Sequence, residues 1–163
     1  MIKQFVPDGV CLKCKGCCRF AQADSVWSPS LLNEEIQILA KDARFEPKIT
    51  SRKKIALIRS KSNDIFLCPF LREDNNECEI YSSRPLECSL YPFLINRRAE
   101  KIFLSVDLNC PFASENFKSE IFKEYVDYLC SLFDGGQFKD ILKNNPHLLQ
   151  SYQQVLDLVE IKR

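Results

Sequence analysis

Four sulfurs stand within one short stretch of this chain, at Cys11, Cys14, Cys17 and Cys18. Two residues between cysteines let a tight turn point both thiolates the same way, while N–H groups of that turn hydrogen-bond the sulfurs and lower their pKa. A second step of the same length brings Cys17 to the same side, so one loop offers three ligands to a metal. Such a run binds a 4Fe–4S cluster when a fourth cysteine arrives from elsewhere. It also suits zinc, one ion taking the first pair and a neighbouring ion the rest. Cys18 is the oddity, because adjacent residues of an extended chain send their side chains to opposite sides. It is therefore expected to serve a different centre from Cys17, or none.

Five further cysteines follow: Cys68, Cys78, Cys88, Cys110 and Cys130. The loop supplies three plus one, and Cys68, Cys78, Cys88 and Cys110 supply the other four of eight. Two four-cysteine sites satisfy that count, and so does one cluster with an auxiliary redox group. Pro69 and Pro111 directly follow Cys68 and Cys110. A proline there removes an N–H and shields the sulfur, as at the last cysteine of ferredoxin-type runs, which leans the reading towards iron–sulfur. The same prolines would equally serve to end a strand. Cys130 shares an apolar helical face with Phe122, Val126, Leu129 and Phe133 and reads as a buried core thiol.

Eight thiolates around two dications leave negative charge, so a nearby cation would help. Arg84, close in sequence to Cys78 and Cys88, and Arg19 are the candidates for donating hydrogen bonds to the sulfurs. Ordinary surface ion pairs are the alternative for both. Tyr81, Tyr91, Phe70 and Phe93 read as packing around the site. His147 is the one histidine, far from any cysteine, and reads as exposed. Glu34-Glu35 and Glu77-Cys78-Glu79 are explicable as cap or surface charge. No catalytic constellation is readable: no nucleophile–histidine–acid set can be assembled.

Composition bounds the rest. The chain has 163 residues and a formal net charge of +1. One domain is expected, 1–163, and at this length about 70% of the unfolded surface is buried. Ordinary apolar content argues against disorder, and near-neutrality against a nucleic-acid binder with a strong basic field. The basic clusters Arg52-Lys53-Lys54 and Arg97-Arg98 with Lys101 read as solvated surface. The N-terminal segment has no apolar run fit for a signal peptide or membrane helix, so a cytoplasmic setting and no membrane contact are expected. In that compartment a cysteine-dense chain reads as metal-binding or redox-active rather than disulfide-bonded, and nine cysteines pair badly.

The elements that must hold the sulfurs follow from periodicity and punctuation. Residues 1–27 look irregular. Ser28-Pro29 predicts a helix start, with Leu32, Ile36, Leu39 and Ala40 on one face and Pro47 beyond its end. Ile55–Ile58 and Ile65–Leu67 flank Ser62-Asn63-Asp64 as one hairpin. Leu94-Ile95 and Ile102–Val106 flank Asn96-Arg97-Arg98 as another. Leu86–Tyr91, between Pro85 and Pro92, is a short helical segment presenting Cys88. From Cys110-Pro111 onwards the pattern is helical: a helix through Phe122 and Phe133 stops at Gly135-Gly136, and Asn145-Pro146 opens a last one carrying Leu148, Tyr152, Val155, Leu156 and Val159. The expected architecture is α+β without a parallel sheet: a small antiparallel sheet and cysteine-rich loops around a metal site, 11–112, flanked by helices, those at the C-terminus spanning 113–163.

The motifs together carry a resemblance. Cys11-Leu-Lys-Cys-Lys-Gly-Cys-Cys-Arg19, Cys68-Pro-Phe-Leu71, Cys78-Glu-Ile-Tyr-Ser-Ser-Arg-Pro-Leu-Glu-Cys-Ser-Leu-Tyr-Pro-Phe93 and Cys110-Pro111 are similar to the CxxCxxCC, or YkgJ-type, cysteine-cluster family. The resemblance implies a zinc- or iron-chelating domain with Cys11, Cys14, Cys17, Cys18, Cys68, Cys78, Cys88 and Cys110 as its ligands. Ser89 stands where relatives usually carry arginine, so no second basic contact is expected there. The expected function is a cytoplasmic metal-chelating module, holding an iron–sulfur cluster or zinc, accessory or regulatory to an unidentified protein partner. Part of a flagellin lysine methylase is also similar, which implies a metal-dependent protein-modifying enzyme or subunit as the alternative. This chain has four glycines and no G-x-G-x-x-G loop or radical-type Cys-x3-Cys-x2-Cys spacing, which argues against a stand-alone methyltransferase. A third reading is a redox switch on the vicinal Cys17–Cys18 pair.

Overall fold

A computed structural model of the chain describes residues 2–14, 16–41 and 49–162. The fold is α+β, with six α-helices and two three-stranded antiparallel sheets among the described residues. Its contacts separate two compact units, Pro7–Ser89 and a second made of Met1–Val6 with Leu90–Arg163.

The unit Pro7–Ser89 has little regular structure. It holds α1 (Asp8–Cys11), β1 (Arg19–Phe20), α2 (Asn33–Lys41), β2 (Ile58–Arg59) and β3 (Phe66–Leu67), and α3 (Leu86–Leu90) runs out of its end. The strands lie in the order β1-β3-β2. The expected hairpin around Ser62–Asp64 forms, though β2 keeps only Ile58 and Arg59, while Ile55 instead bridges to Ile49. Residues 1–27, expected to be irregular, contain one helical turn and one short strand. A core of Phe20, Leu31, Leu39, Ile55, Leu67, Phe70, Leu71 and Ile80 sits under these pieces.

Ser28-Pro29 does not start a helix. Pro29 accepts from the Ile55 N–H (2.9 Å), Leu31 donates to Lys53 (2.9 Å) and Ser30 bridges to Lys54, so 28–31 is held as extended chain by a distant segment. Tertiary pairing outweighs the local start signal. The helix begins at Asn33, where the Glu35 carboxylate accepts from the Leu32 N–H (2.8 Å) in half of a capping box. Of the predicted apolar face Leu39 is buried, Ile36 packs against the core, and Ala40 is exposed; Pro47 falls outside the described residues. The turn at Leu86 does form as α3 and carries Cys88.

The other unit is built on β4 (Phe93–Arg98), β5 (Lys101–Val106) and β6 (Leu156–Ile161), in that order. Its helices are α4 (Pro111–Asn116), α5 (Glu120–Asp134) and α6 (Gly136–Asn144). The second hairpin exists, but its turn is not at Asn96–Arg98. Those residues continue β4, and the Arg98–Lys101 pair leaves Ala99-Glu100 as the loop, with Ala99 in the left-handed region at φ 51°. Ser119 caps α5, accepting from the Phe122 N–H (3.2 Å), and Phe122, Tyr125, Leu129 and Phe133 form its buried face. Cys130 is half-buried on that helix and not a core thiol. Gly135 ends α5 and at once caps α6, an element absent from the sequence expectation. Phe5 enters this unit from the N-terminal segment and meets Phe93, Phe112, Phe122 and Tyr125 at centroid distances of 5.1–5.8 Å.

The expected last helix is a strand. Asn145-Pro146 opens only a 3-10 turn, Pro146–Leu148, and the chain then pairs with β5 as β6, with a bulge at Leu104/Ser105. Leu148 and Tyr152 are buried, whereas Leu156 and Val159 stand exposed. A polar network makes the reason visible. Asn96, fully buried, donates from Nδ2 to Asp157 Oδ1 (2.8 Å) and accepts the Tyr152 N–H (2.9 Å). Ser105 Oγ (2.6 Å) and Arg98 Nε (3.1 Å) donate to the same Asp157 carboxylate. These bonds satisfy every buried partner only when 156–161 lies along β5. His147 is half-buried in the 3-10 turn, not exposed, and its carbonyl accepts from Gln150.

Burial alone would raise the Asp157 carboxyl, but the bonds from Ser105, Asn96 and Arg98 outweigh it and hold the pKa below the ordinary value. A depressed carboxyl stabilises the fold above its unfolded pKa, and that gain is lost as pH falls through the folded value. Asp157→Asn is therefore expected to cost about 1–3 kcal/mol at neutral pH. The gap to the parent should close below about pH 4. Denaturant unfolding of both proteins across pH 2–8 checks this; a gap independent of pH contradicts it.

Candidate metal centre

Seven of the nine cysteines lie in the unit Pro7–Ser89, carried by several short pieces of structure. Cys11 closes α1, a single turn in which Val10 and Cys11 donate to the Pro7 carbonyl. The next turn follows without a gap, as the Cys14 N–H donates to Cys11 O (3.1 Å). Asn76 reaches across from the loop after Leu71 and donates its amide to the Cys14 carbonyl. That loop is itself tight: Leu71 bridges Cys78, and Asn76 sits at φ 64°. The side-chain bond to Cys14 thus ties the cysteine loop to the turn that delivers Cys78.

Cys17 and Cys18 depart from the alternation expected of an extended chain. The Arg19 N–H donates to Gly16 O (3.1 Å), so 16–19 is a turn and the two side chains are not sent to opposite faces. A hydrogen bond joins the Cys17 and Cys18 sulfurs. That bond is the main reason the Cys17 thiol is pushed well up, with the neighbouring sulfurs of Cys18, Cys88 and Cys11 adding to it, although the residue itself stands exposed. The same bond draws Cys18 down against the effect of burial, aided by the Arg19 guanidinium. The Cys68 N–H donates to Cys18 O (3.1 Å), placing the start of the Cys68-Pro69 turn against the vicinal pair.

Cys68 and Cys78 share a local geometry. Each sulfur is the acceptor for the backbone N–H two residues on, Phe70 for Cys68 and Ile80 for Cys78. Such N–H groups aimed at sulfur stabilise the thiolate form. Burial nonetheless dominates, and the Cys68 thiol is pushed up to about 12. Cys88, on α3, is pushed well up, by burial first and then by Cys68, Cys18, Glu87 and Cys78.

Both candidate arginines act on sulfurs. Arg84 lies over the Tyr81 ring, its guanidinium carbon 3.9 Å from the centroid. Burial raises the Cys11 thiol, and Arg84 with the Tyr81 hydroxyl pulls against that rise; Arg84 also opposes the rise at Cys78. Arg19 Nη1 is buried and bonds to none of the described residues, while its charge lowers Cys18. Sequence reasoning missed Tyr81. Its hydroxyl stands between Asp8 Oδ1 (2.8 Å) and the Cys11 sulfur, its one proton able to serve either, so it is a polar contact of these residues and not packing alone. Tyr91, in the other unit, likewise uses its hydroxyl, donating to Asp107 Oδ2 (2.9 Å).

Cys110 belongs to the other unit. It is buried at the start of α4, and its N–H donates to the Asp107 carbonyl (3.3 Å). Asp107 is held in turn by Tyr91 and by the Asn109 N–H and side chain.

Two carboxylates near Cys88 also escaped the sequence. Glu87 accepts from the Ser30 N–H (2.7 Å), and burial pushes it up to about 7 against that bond and the pull of Lys54. Lys54 is buried too, donating to the Val26 carbonyl (2.6 Å), and burial lowers it. Glu35 accepts at Oε1 from the Leu86 N–H (2.6 Å) as well as from Leu32. Their partners lie 51–57 residues away in sequence, which is why spacing could not reveal them.

The donor set suits a metal in kind. Thiols that raise one another when empty repel as thiolates, and an inserted cation removes that repulsion and deprotonates them. Among the described residues no three histidine, cysteine, aspartate or glutamate side chains are arranged as they stand to hold an ion. The sulfurs therefore share a field without forming a finished chelate. Among the same residues no helix is long and apolar enough to cross a membrane.

Comparison with known proteins gives one match. The model of a family described as "CxxCxxCC: Putative zinc- or iron-chelating domain" fits residues 10–111. No curated protein and no solved structure matches the chain.

Proposed function

Since this chain belongs to the CxxCxxCC family of zinc- or iron-chelating domains, we propose that it is a metal-holding module whose centre is built from the thiolates of Cys11, Cys14, Cys17, Cys18, Cys68, Cys78 and Cys88. The observation that carries this reading is the family match over residues 10–111, which takes in all seven of these cysteines; the backbone N–H groups aimed at Cys68 and Cys78 support it. Arg19 and Arg84 are the cations that offset the charge of an all-thiolate centre. An iron–sulfur cluster is preferred over zinc, supported by the three-step run Cys11–Cys14–Cys17 and the prolines after Cys68 and Cys110. A cluster would supply electron storage or sensing. The role we propose for the chain is accessory or regulatory to a cytoplasmic protein partner.

The experiment is elemental analysis with acid-labile sulfide on protein made with both metals available and purified without oxygen. Iron with matching sulfide is expected; zinc without sulfide would keep the chelating role and replace the cofactor. Stoichiometric absence of both overturns the reading. Cys68→Ser or Cys78→Ser is expected to lower metal affinity by more than about 100-fold, beyond what loss of an outer partner costs. Cys130→Ser should leave it unchanged, because that thiol lies on α5 in the unit that lacks the cluster.

A further inference from the structure

One side chain joins two helices of the cysteine-bearing unit. The Glu35 carboxylate accepts from Leu32, at the head of α2, through Oε2 (2.8 Å), and from Leu86, the first residue of α3, through Oε1 (2.6 Å). The segment just before α2 returns the tie, as the Ser30 N–H donates to Glu87 on α3 (2.7 Å). Helix α3 is five residues long, a length with no stability of its own. Its first N–H groups have no partner inside the helix. Where α3 sits is therefore decided by what grips its first turn, and Cys88 is the third residue of that turn.

We propose that Glu35 is a positioning residue for Cys88, its carboxylate fixing the turn that presents this thiol to the cluster. The idea rests on the metal-holding reading and adds to it a residue that touches no metal. Only a carboxylate of this length fits both bonds. Glutamine has one acceptor, so its amide N–H₂ would face a backbone N–H at one of the two ends. Aspartate keeps the charge but is one methylene too short to serve both helices.

The test is a double-mutant cycle on metal affinity, by chelator competition, over the parent, Glu35→Gln, Cys88→Ser and the pair. Glu35→Gln is expected to weaken binding about 10–100-fold, the range for an outer partner of a ligand. In the Cys88→Ser background it should add nothing, because the ligand it places is gone; losses that simply add would overturn the proposal. A second readout needs no metal. Iodoacetamide labelling of metal-free protein, resolved by cysteine through mass spectrometry, should show Cys88 reacting faster in Glu35→Gln while Cys68 and Cys78 keep their rates. A uniform rise at all three means general loosening and also overturns it. Leu39→Ala, which opens the core of the same unit while keeping both Glu35 bonds, supplies that uniform pattern for comparison. Glu35→Asp is read in the same way should the Gln variant not fold. A parent that binds no metal would sink the metal reading, and the labelling pattern would still judge Glu35.

Discussion

Chelating the metal from loaded protein is expected to strip amide protection from residues 7–89 while β4, β5 and β6 keep theirs. The unit Pro7–Ser89 has three strands of two residues each, and its longest helix, α2, has nine. Sheets and helices that small are marginal without support. Its apolar cluster is real but modest, and seven thiols stand around it, Cys68 buried, Cys17 exposed and the others half-buried. Loaded, those thiols become bonds that tie its short pieces together. Under these conditions the free energy of binding is free energy of folding. Hydrogen exchange read by mass spectrometry, before and after a chelator and with metal loss verified, checks the expectation. Unchanged protection in 7–89 after complete stripping would show that the metal is cargo and not a staple.

The second large effect lies in the other unit. Phe93 is 1% exposed, and its ring meets Phe5 edge-on at 5.3 Å, Phe122 at 5.4 Å and Tyr125 at 5.1 Å. Removing it takes one of its ring partners from Phe5 and opens a void beside Phe122 and Tyr125. Phe93→Ala is expected to cost about 3–5 kcal/mol. For a chain of this size that lowers the melting temperature by roughly 6–20 °C. Calorimetry or thermal unfolding followed by near-ultraviolet circular dichroism measures it. A shift of only a degree or two would mean that the surrounding rings repack, and the aromatic cluster would then be a loose filling and not a keystone.

The metal-binding motifs were legible because their information is local: loop ligands two residues apart, and prolines directly behind two cysteines. The elements that were misread owe their structure to distant partners. Ser28-Pro29 carries a helix-start signal, yet backbone bonds to 53–55 hold it extended. The stretch from Leu148 to Val159 has apolar residues at helical intervals, yet Asp157 is claimed by Asn96, Ser105 and Arg98, 52–61 residues away. Asn96 looked like a turn residue and is instead a buried hub, while the true loop, Ala99-Glu100, contains neither glycine nor asparagine. The alternation rule applied to Cys17 and Cys18 presumed an extended chain, and the turn from Gly16 to Arg19 removed the premise. Glu35 could be seen as a cap from its neighbours, but only the structure shows that it caps a second helix as well.

The six residues that open the chain belong with the unit that closes it, since Phe5 and Val6 are buried there and the cysteine-bearing segment is interposed between the two parts. On the ribosome this makes order matter. Residues 7–89 are complete while Phe5 still waits for Phe93, Phe112, Phe122 and Tyr125 to be synthesised. Segments that emerge first fold first as units. A nascent chain stalled once residues 7–89 have cleared the ribosome is therefore expected to retain metal already, before the other unit has been synthesised.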